Sequence, residues 1–176
     1  MEYLTFLLLL LGVLALGLSP GRVEAAPAGA GIQSPLMLAA AGQPKSGETC
    51  PPTESDALGP FYKPGAPERA SVGRGYVLSG VVKSAGSCTP IAREAHIEFW
   101  LAGPDGNYDD DHRATLFVDE TGAYRFESNF PPKYSFRPPH IHLRVTAKGY
   151  RTLVTQHYPA AGQTQGTFDL VLAPAR

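Results

Sequence analysis

The chain has 176 residues, and its 15 Lys and Arg against 16 Asp and Glu leave a formal charge of −1. Without a basic stripe interleaved with aromatics, that balance excludes the electrostatic footprint of a nucleic-acid binder. The length suits one globular domain once any targeting segment is removed.

The first element in chain order is the apolar run Phe6 to Leu18, followed by Ser19-Pro20 and small residues around Ala25. The run is too short to span a bilayer comfortably and fits the hydrophobic core of a secretory signal. Residues 1–25 are therefore expected to be a signal peptide, and the protein to be exported, secreted or periplasmic. Glu2 stands where positive charge is usual, so a retained membrane anchor is the alternative and the only expected membrane contact. Residues 26–57 are rich in Ala, Gly, Pro, Ser and Gln and read as a flexible arm, with the folded body at 58–176. Cys50 and Cys88 suit an oxidising compartment, as a bridge or as two thiols.

From Tyr76 onward the apolar pattern has period two. Strands are predicted in "YVLSGVVK", "HIEFWLA", "ATLFVD", "AYRFES", "HIHLRVTA", "TLVTQHY" and "TFDLVLA", each bounded by turn-forming residues. "GPDGNY" and "DETGAY" have the chemistry of tight reversals, with Gly106 and Gly122 free to take positive φ. The expectation is an all-β, antiparallel or mixed sandwich of prealbumin or immunoglobulin type. Alternation puts Ile141, Leu143 and Val145 on one face and His140, His142 and Arg144 on the other. Trp100 falls on the less apolar face of its strand, and Phe126, Phe168, Leu170 and Leu172 read as core.

Two of the five histidines stand one residue apart, at 140 and 142, so an extended strand aims both imidazoles the same way. Such a pair is either a half-buried polar face or half of a metal site. Tyr134, Arg137 and Tyr108 are close enough in sequence to reach the same place. A phenol must lose its proton to bind a metal, which a strongly polarising cation such as ferric iron makes possible at neutral pH. His96, His112 and His157 lack ligand spacing, and Asp109 to Asp111 lack the alternating spacing of a calcium loop.

These motifs resemble the intradiol ring-cleaving dioxygenases, which include catechol 1,2-dioxygenase and protocatechuate 3,4-dioxygenase. The resemblance runs through "GPFYKPGAPERA", "LSGVVKSAGSCTPIAREAHIEFWLAGPDGNYDD", "YSFRPPHIHLRV" and "LVTQHY". It implies a non-haem Fe(III) centre held by Tyr108, Tyr134, His140 and His142, with Tyr134 and His142 as the axial pair. Tyr134 would leave the metal and take a substrate proton, Arg137 would stabilise developing negative charge, and Gln156 would line the pocket. Tyr62 sits in the entry motif as a candidate substrate contact. The implied reaction cleaves a catechol with O2 between its two hydroxyl-bearing carbons, giving a cis,cis-muconate-type dicarboxylate. The competing expectation is an exported β-sandwich binding module without catalysis, since sandwiches host many functions. Oligomeric state stays open.

Overall fold

The computed structural model describes residues 49–176, so the expected signal at 1–25 and most of the expected arm lie outside the described residues. The described chain is all-β. In chain order the strands are β1 (Tyr76–Ser84), β2 (Ala95–Leu101), β3 (Arg113–Phe117), β4 (Ala123–Ser128), β5 (Ile141–Ala147), β6 (Leu153–His157), β7 (Gln165–Thr167) and β8 (Leu170–Leu172).

They form two mixed or antiparallel sheets. One has the order β3-β2-β5-β6, entirely antiparallel; in the other β1 pairs antiparallel with β4 and parallel with both β7 and β8. Inner-face residues of both sheets make one core. Leu78, Val82, Phe126, Leu170 and Leu172 meet Ile97, Phe99, Leu143 and Val145, with Phe99 stacked on Phe126 at 4.1 Å between ring centroids. Burying each such side chain contributes roughly 1.5–3 kcal/mol before chain entropy is counted.

The seventh predicted strand is two strands, and the reason is local. Asp169 Oδ1 accepts the backbone N–H of Val81 at 2.9 Å, so a side chain replaces one rung of the ladder between β7 and β8. Phe168 turns out of the inner face and is only half-buried, packing at the core's edge. Its carbonyl passes Gly80 so closely that a Cβ there would lie 2.2 Å away, which only glycine allows.

The reversals form as their residues predict. In "DETGAY" the Asp119 carboxylate accepts the N–H groups of Thr121 and Ala123, and Gly122 takes φ +76°. Hydrogen bonds to the body begin upstream of Leu58. Thr53 N–H donates to Val171 O, Asp56 N–H to Val154 O, and the Thr155 hydroxyl to Glu54 O. Cys50 and Cys88 are joined as a disulfide at the start of this stretch.

Candidate metal centre

Strand register builds the floor of the site. On the outer face of the β3-β2-β5-β6 sheet, His142 of β5 pairs with Trp100 of β2 on one side and Gln156 of β6 on the other. The next outward pair is Glu98 with Arg144. His142 is 2 % and His140 3 % exposed, so the two polar rings are as buried as the core although they face away from it.

What covers them is a set of loops. The 59–63 stretch crosses the sheet with Gly59 at φ +76°, where a Cβ would stand 3.0 Å from His142 Cε1. Phe61 then stacks on Tyr108 at 4.3 Å and meets Tyr134 edge-on at 5.3 Å. Tyr134 begins a tight turn closed by Arg137 N–H donating to Tyr134 O at 2.9 Å, with Ser135 in the left-handed region at φ +56°. Tyr134 and Arg137 stand at the two ends of that turn.

Tyr108, Tyr134, His140 and His142 converge. Ring centroids are 5.5 Å apart for Tyr108 and Tyr134, 6.0 Å for Tyr108 and His142, and 4.8 Å for the two histidines. His140 Nδ1 lies 2.7 Å from the Pro138 carbonyl, which can only accept, so Nδ1 carries the hydrogen and Nε2 offers its lone pair. Tyr108 Oη is 3.1 Å from that Nε2 and donates to it.

Protonation follows from burial. Desolvation, joined by the neighbouring His140 and Arg137, pushes His142 down to about 3, and desolvation also lowers His140, so both rings are neutral at physiological pH. Burial pushes the Tyr108 phenol up to about 12. Left alone, that phenol keeps its proton.

The donor set fits a hard, strongly polarising cation. Two ligands each roughly 2 Å from a shared ion stand roughly 3 Å apart, as Tyr108 Oη and His140 Nε2 do. His142 Nδ1 is buried without a hydrogen-bond partner, as Trp100 Nε1 beneath it also is. Among the described residues no three His, Cys, Asp or Glu side chains are grouped to hold a metal, so a centre here depends on the two phenols.

Beside this cluster, Arg137 Nη2 donates to Gln156 Oε1 at 3.0 Å and to Tyr158 Oη at 2.9 Å. Gln156 Nε2 in turn donates to Ala57 O at 2.6 Å. Tyr62 takes a different place. Its hydroxyl donates to the Glu98 carboxylate at 3.1 and 3.2 Å, its ring packs on Trp100 at 5.1 Å, and it lines, with Phe61, Tyr108 and Arg113, a recess of about 410 Å³ open to solvent. His112 bonds Asp109, and His157 bonds Tyr76, away from the cluster.

Three contributors were not singled out from the sequence. Phe61 closes the cluster and Trp100 underlies His142; neither has a signal beyond an aromatic in a loop and one on a polar face. Tyr158 did carry a signal, since it stands two residues after Gln156 and so shares its face.

Fold and site together define a β-sandwich carrying two tyrosines and two histidines on one outer face. Known proteins share that body. The chain is 35 % identical over 147 residues to hydroxyquinol 1,2-dioxygenase of Rhodococcus opacus, covering 64 % of this chain and 48 % of that protein. It is 32 % identical over 145 residues to chlorocatechol 1,2-dioxygenase of the same species, covering 60 % and 56 %. Among solved structures, the dioxygenase domain of a dioxygenase carbohydrate-binding protein fusion from Streptomyces sp. SirexAA-E superposes with TM-score 0.62 at 28 % identity, covering 71 % of this chain and all of that one. 3-Chlorocatechol 1,2-dioxygenase from Rhodococcus opacus 1CP superposes with TM-score 0.63 at 19 % identity, a likeness of fold. No family model matches the chain. The chain is thus similar in sequence and fold to ring-cleaving 1,2-dioxygenases, and it spans about half the length of the curated relatives it matches.

Proposed function

We propose that the protein is a ferric, non-haem intradiol dioxygenase that opens a catechol-type ring with O2 between its hydroxylated carbons. The observation that carries the reading is the convergence of Tyr108, Tyr134, His140 and His142 in one cluster. Bound Fe(III) would supply Lewis acidity and a template for the two catechol oxygens.

The chain's own residues do the rest. The Pro138 carbonyl fixes the His140 tautomer so that Nε2 faces the site. Tyr108 Oη donates its hydrogen to that nitrogen, and Tyr134, on a loop closed by the Arg137 N–H to Tyr134 O hydrogen bond, would be the phenol that takes a proton from an entering catechol. Phe61 covers both phenols and keeps water from that side. Arg137, held by Gln156 and Tyr158, presents fixed positive charge where negative charge would develop on the ring.

Export belongs to the same reading. It is supported by the Cys50–Cys88 bridge, which persists in oxidising compartments, and by the apolar run at Phe6 to Leu18. N-terminal sequencing of the protein recovered outside the cytoplasm tests it, with Ala26 as the expected first residue.

The deciding experiment is the visible spectrum of the ferric-loaded protein, before and after catechol is added without oxygen, followed by product analysis once oxygen enters. A tyrosinate charge-transfer band that moves to longer wavelength, and a ring-opened dicarboxylate, are expected. A colourless protein, or a coloured one that leaves catechol intact, overturns the reading in favour of a binding module.

A further inference from the structure

The edge of the site holds a carboxylate that the proposed chemistry does not use. Asp56 Oδ2 lies 2.6 Å from Tyr158 Oη. The same phenol oxygen is 2.9 Å from Arg137 Nη2 and 3.1 Å from Gln156 Oε1. A phenol has one hydrogen to give. The carboxylate is both nearer and charged, so it takes that hydrogen, and Oη turns its lone pairs to Arg137. The chain of donors therefore runs from guanidinium to phenol to carboxylate.

Asp56 is well placed to stay there. Its own N–H is tied to Val154 O at 2.9 Å, and the next residue's carbonyl holds Gln156, the second acceptor of Arg137. The Tyr158 hydroxyl, and further off the Arg137 guanidinium, hold the Asp56 carboxyl below its ordinary value, so it is ionised at neutral pH. One positive and one negative charge thus stand a single phenol oxygen apart at the mouth of the site.

We infer that Asp56 is a specificity-determining residue that offsets the charge of Arg137, so that the site gives a catechol bearing a carboxylate no electrostatic advantage over an uncharged one. An anionic ring substituent approaching this edge meets attraction from Arg137 and repulsion from Asp56 at comparable range, and the two largely cancel. With the Asp56 charge gone, only the attraction remains. Asp56 is exposed, so screening keeps the effect modest and salt-dependent. The inference rests on the ring-cleavage reading of the same site.

The test is anaerobic calorimetric titration of the ferric-loaded full chain with catechol and with 3,4-dihydroxybenzoate, at low and high ionic strength. Asp56→Asn keeps an oxygen to accept the Tyr158 hydrogen while removing the charge, and Asp56→Lys reverses it. Relative to catechol, affinity for 3,4-dihydroxybenzoate is expected to rise about three- to tenfold in Asp56→Asn, rise further in Asp56→Lys, and fall back at high salt. An affinity ratio that does not follow the charge order, or a shift untouched by salt, overturns the assignment of Asp56 while leaving ring cleavage standing. Wild-type protein that binds neither compound overturns the ring-cleavage reading and this inference with it.

Discussion

The indole of Trp100 lies flat on the imidazole of His142, with ring centroids 4.8 Å apart and planes 7° from parallel. Cross-strand register makes the two residues direct partners, and Tyr62 closes over the indole from above. The stack fixes one ring orientation for His142, whose Nδ1 has no hydrogen bond to do so.

Loss of that stack should loosen the proposed ferric centre. Trp100→Leu is expected to lower ferric affinity by about tenfold or more, within the range found for groups that orient metal ligands, whereas Trp100→Phe keeps an aromatic face and loses less. Competition against a chelator measures both. Equal affinity in Trp100→Leu and wild type would show that the indole only fills space.

Glu98 is 7 % exposed and accepts from Arg144 Nη1 at 2.6 Å and from the Tyr62 hydroxyl. Glu98→Ala leaves Arg144 and Tyr62 without their acceptor under the covering loop. Such a broken, largely buried pair costs about 2–4 kcal/mol. Urea denaturation with an unchanged slope is the measurement, and a loss below about 1 kcal/mol would place the pair with ordinary surface ion pairs.

Acid should weaken the junction between β7 and β8. Burial alone would raise Asp169, but the Lys83 ammonium at 2.6 Å and the Val81 N–H outweigh it and hold its carboxyl below 3.8. A carboxylate lowered on folding contributes stability above its unfolded value, and that contribution disappears as pH falls through the folded value. Thermal melting of the wild type is expected to drop more steeply than that of Asp169→Asn as pH is taken below about 4. Parallel curves for the two proteins would remove Asp169 from the acid response.

The Cys50–Cys88 bridge closes a loop with a sequence separation of 38, for which the chain-entropy relation gives about 3–4 kcal/mol. Because Cys50 begins the stretch that carries Asp56, Ala57, Gly59 and Phe61 onto the site, reduction should reach the centre as well as the fold. Melting with and without reductant, alongside the ferric charge-transfer band, measures both. A lowered melting temperature with an unaltered band at lower temperature would confine the bridge to stability.

Several parts of this protein were legible because they depend on local rules. Period-two alternation placed the first six strands within a residue or two, since a half-buried sheet forces every second side chain inward. It failed at residues 167–173, where Asp169 substitutes its side chain for a backbone partner on β1. No pattern in one strand reports such a contact with another.

The same division runs through the site. Spacing and residue type alone show that His140 and His142 face one way and that Tyr134 and Arg137 lie on one short proline-bounded loop, while the likeness to a ring-cleaving family comes from whole motifs matched in order. Only the tertiary structure decided that Trp100 lies against His142, that Phe61 covers Tyr108, that Tyr62 turns to Glu98, and that Asp56 reaches Arg137 through Tyr158. The hydrogen-bonded partners among them are 21 to 102 residues apart. Strand register and loop closure bring them within contact distance, and neither is written in the local order of residues.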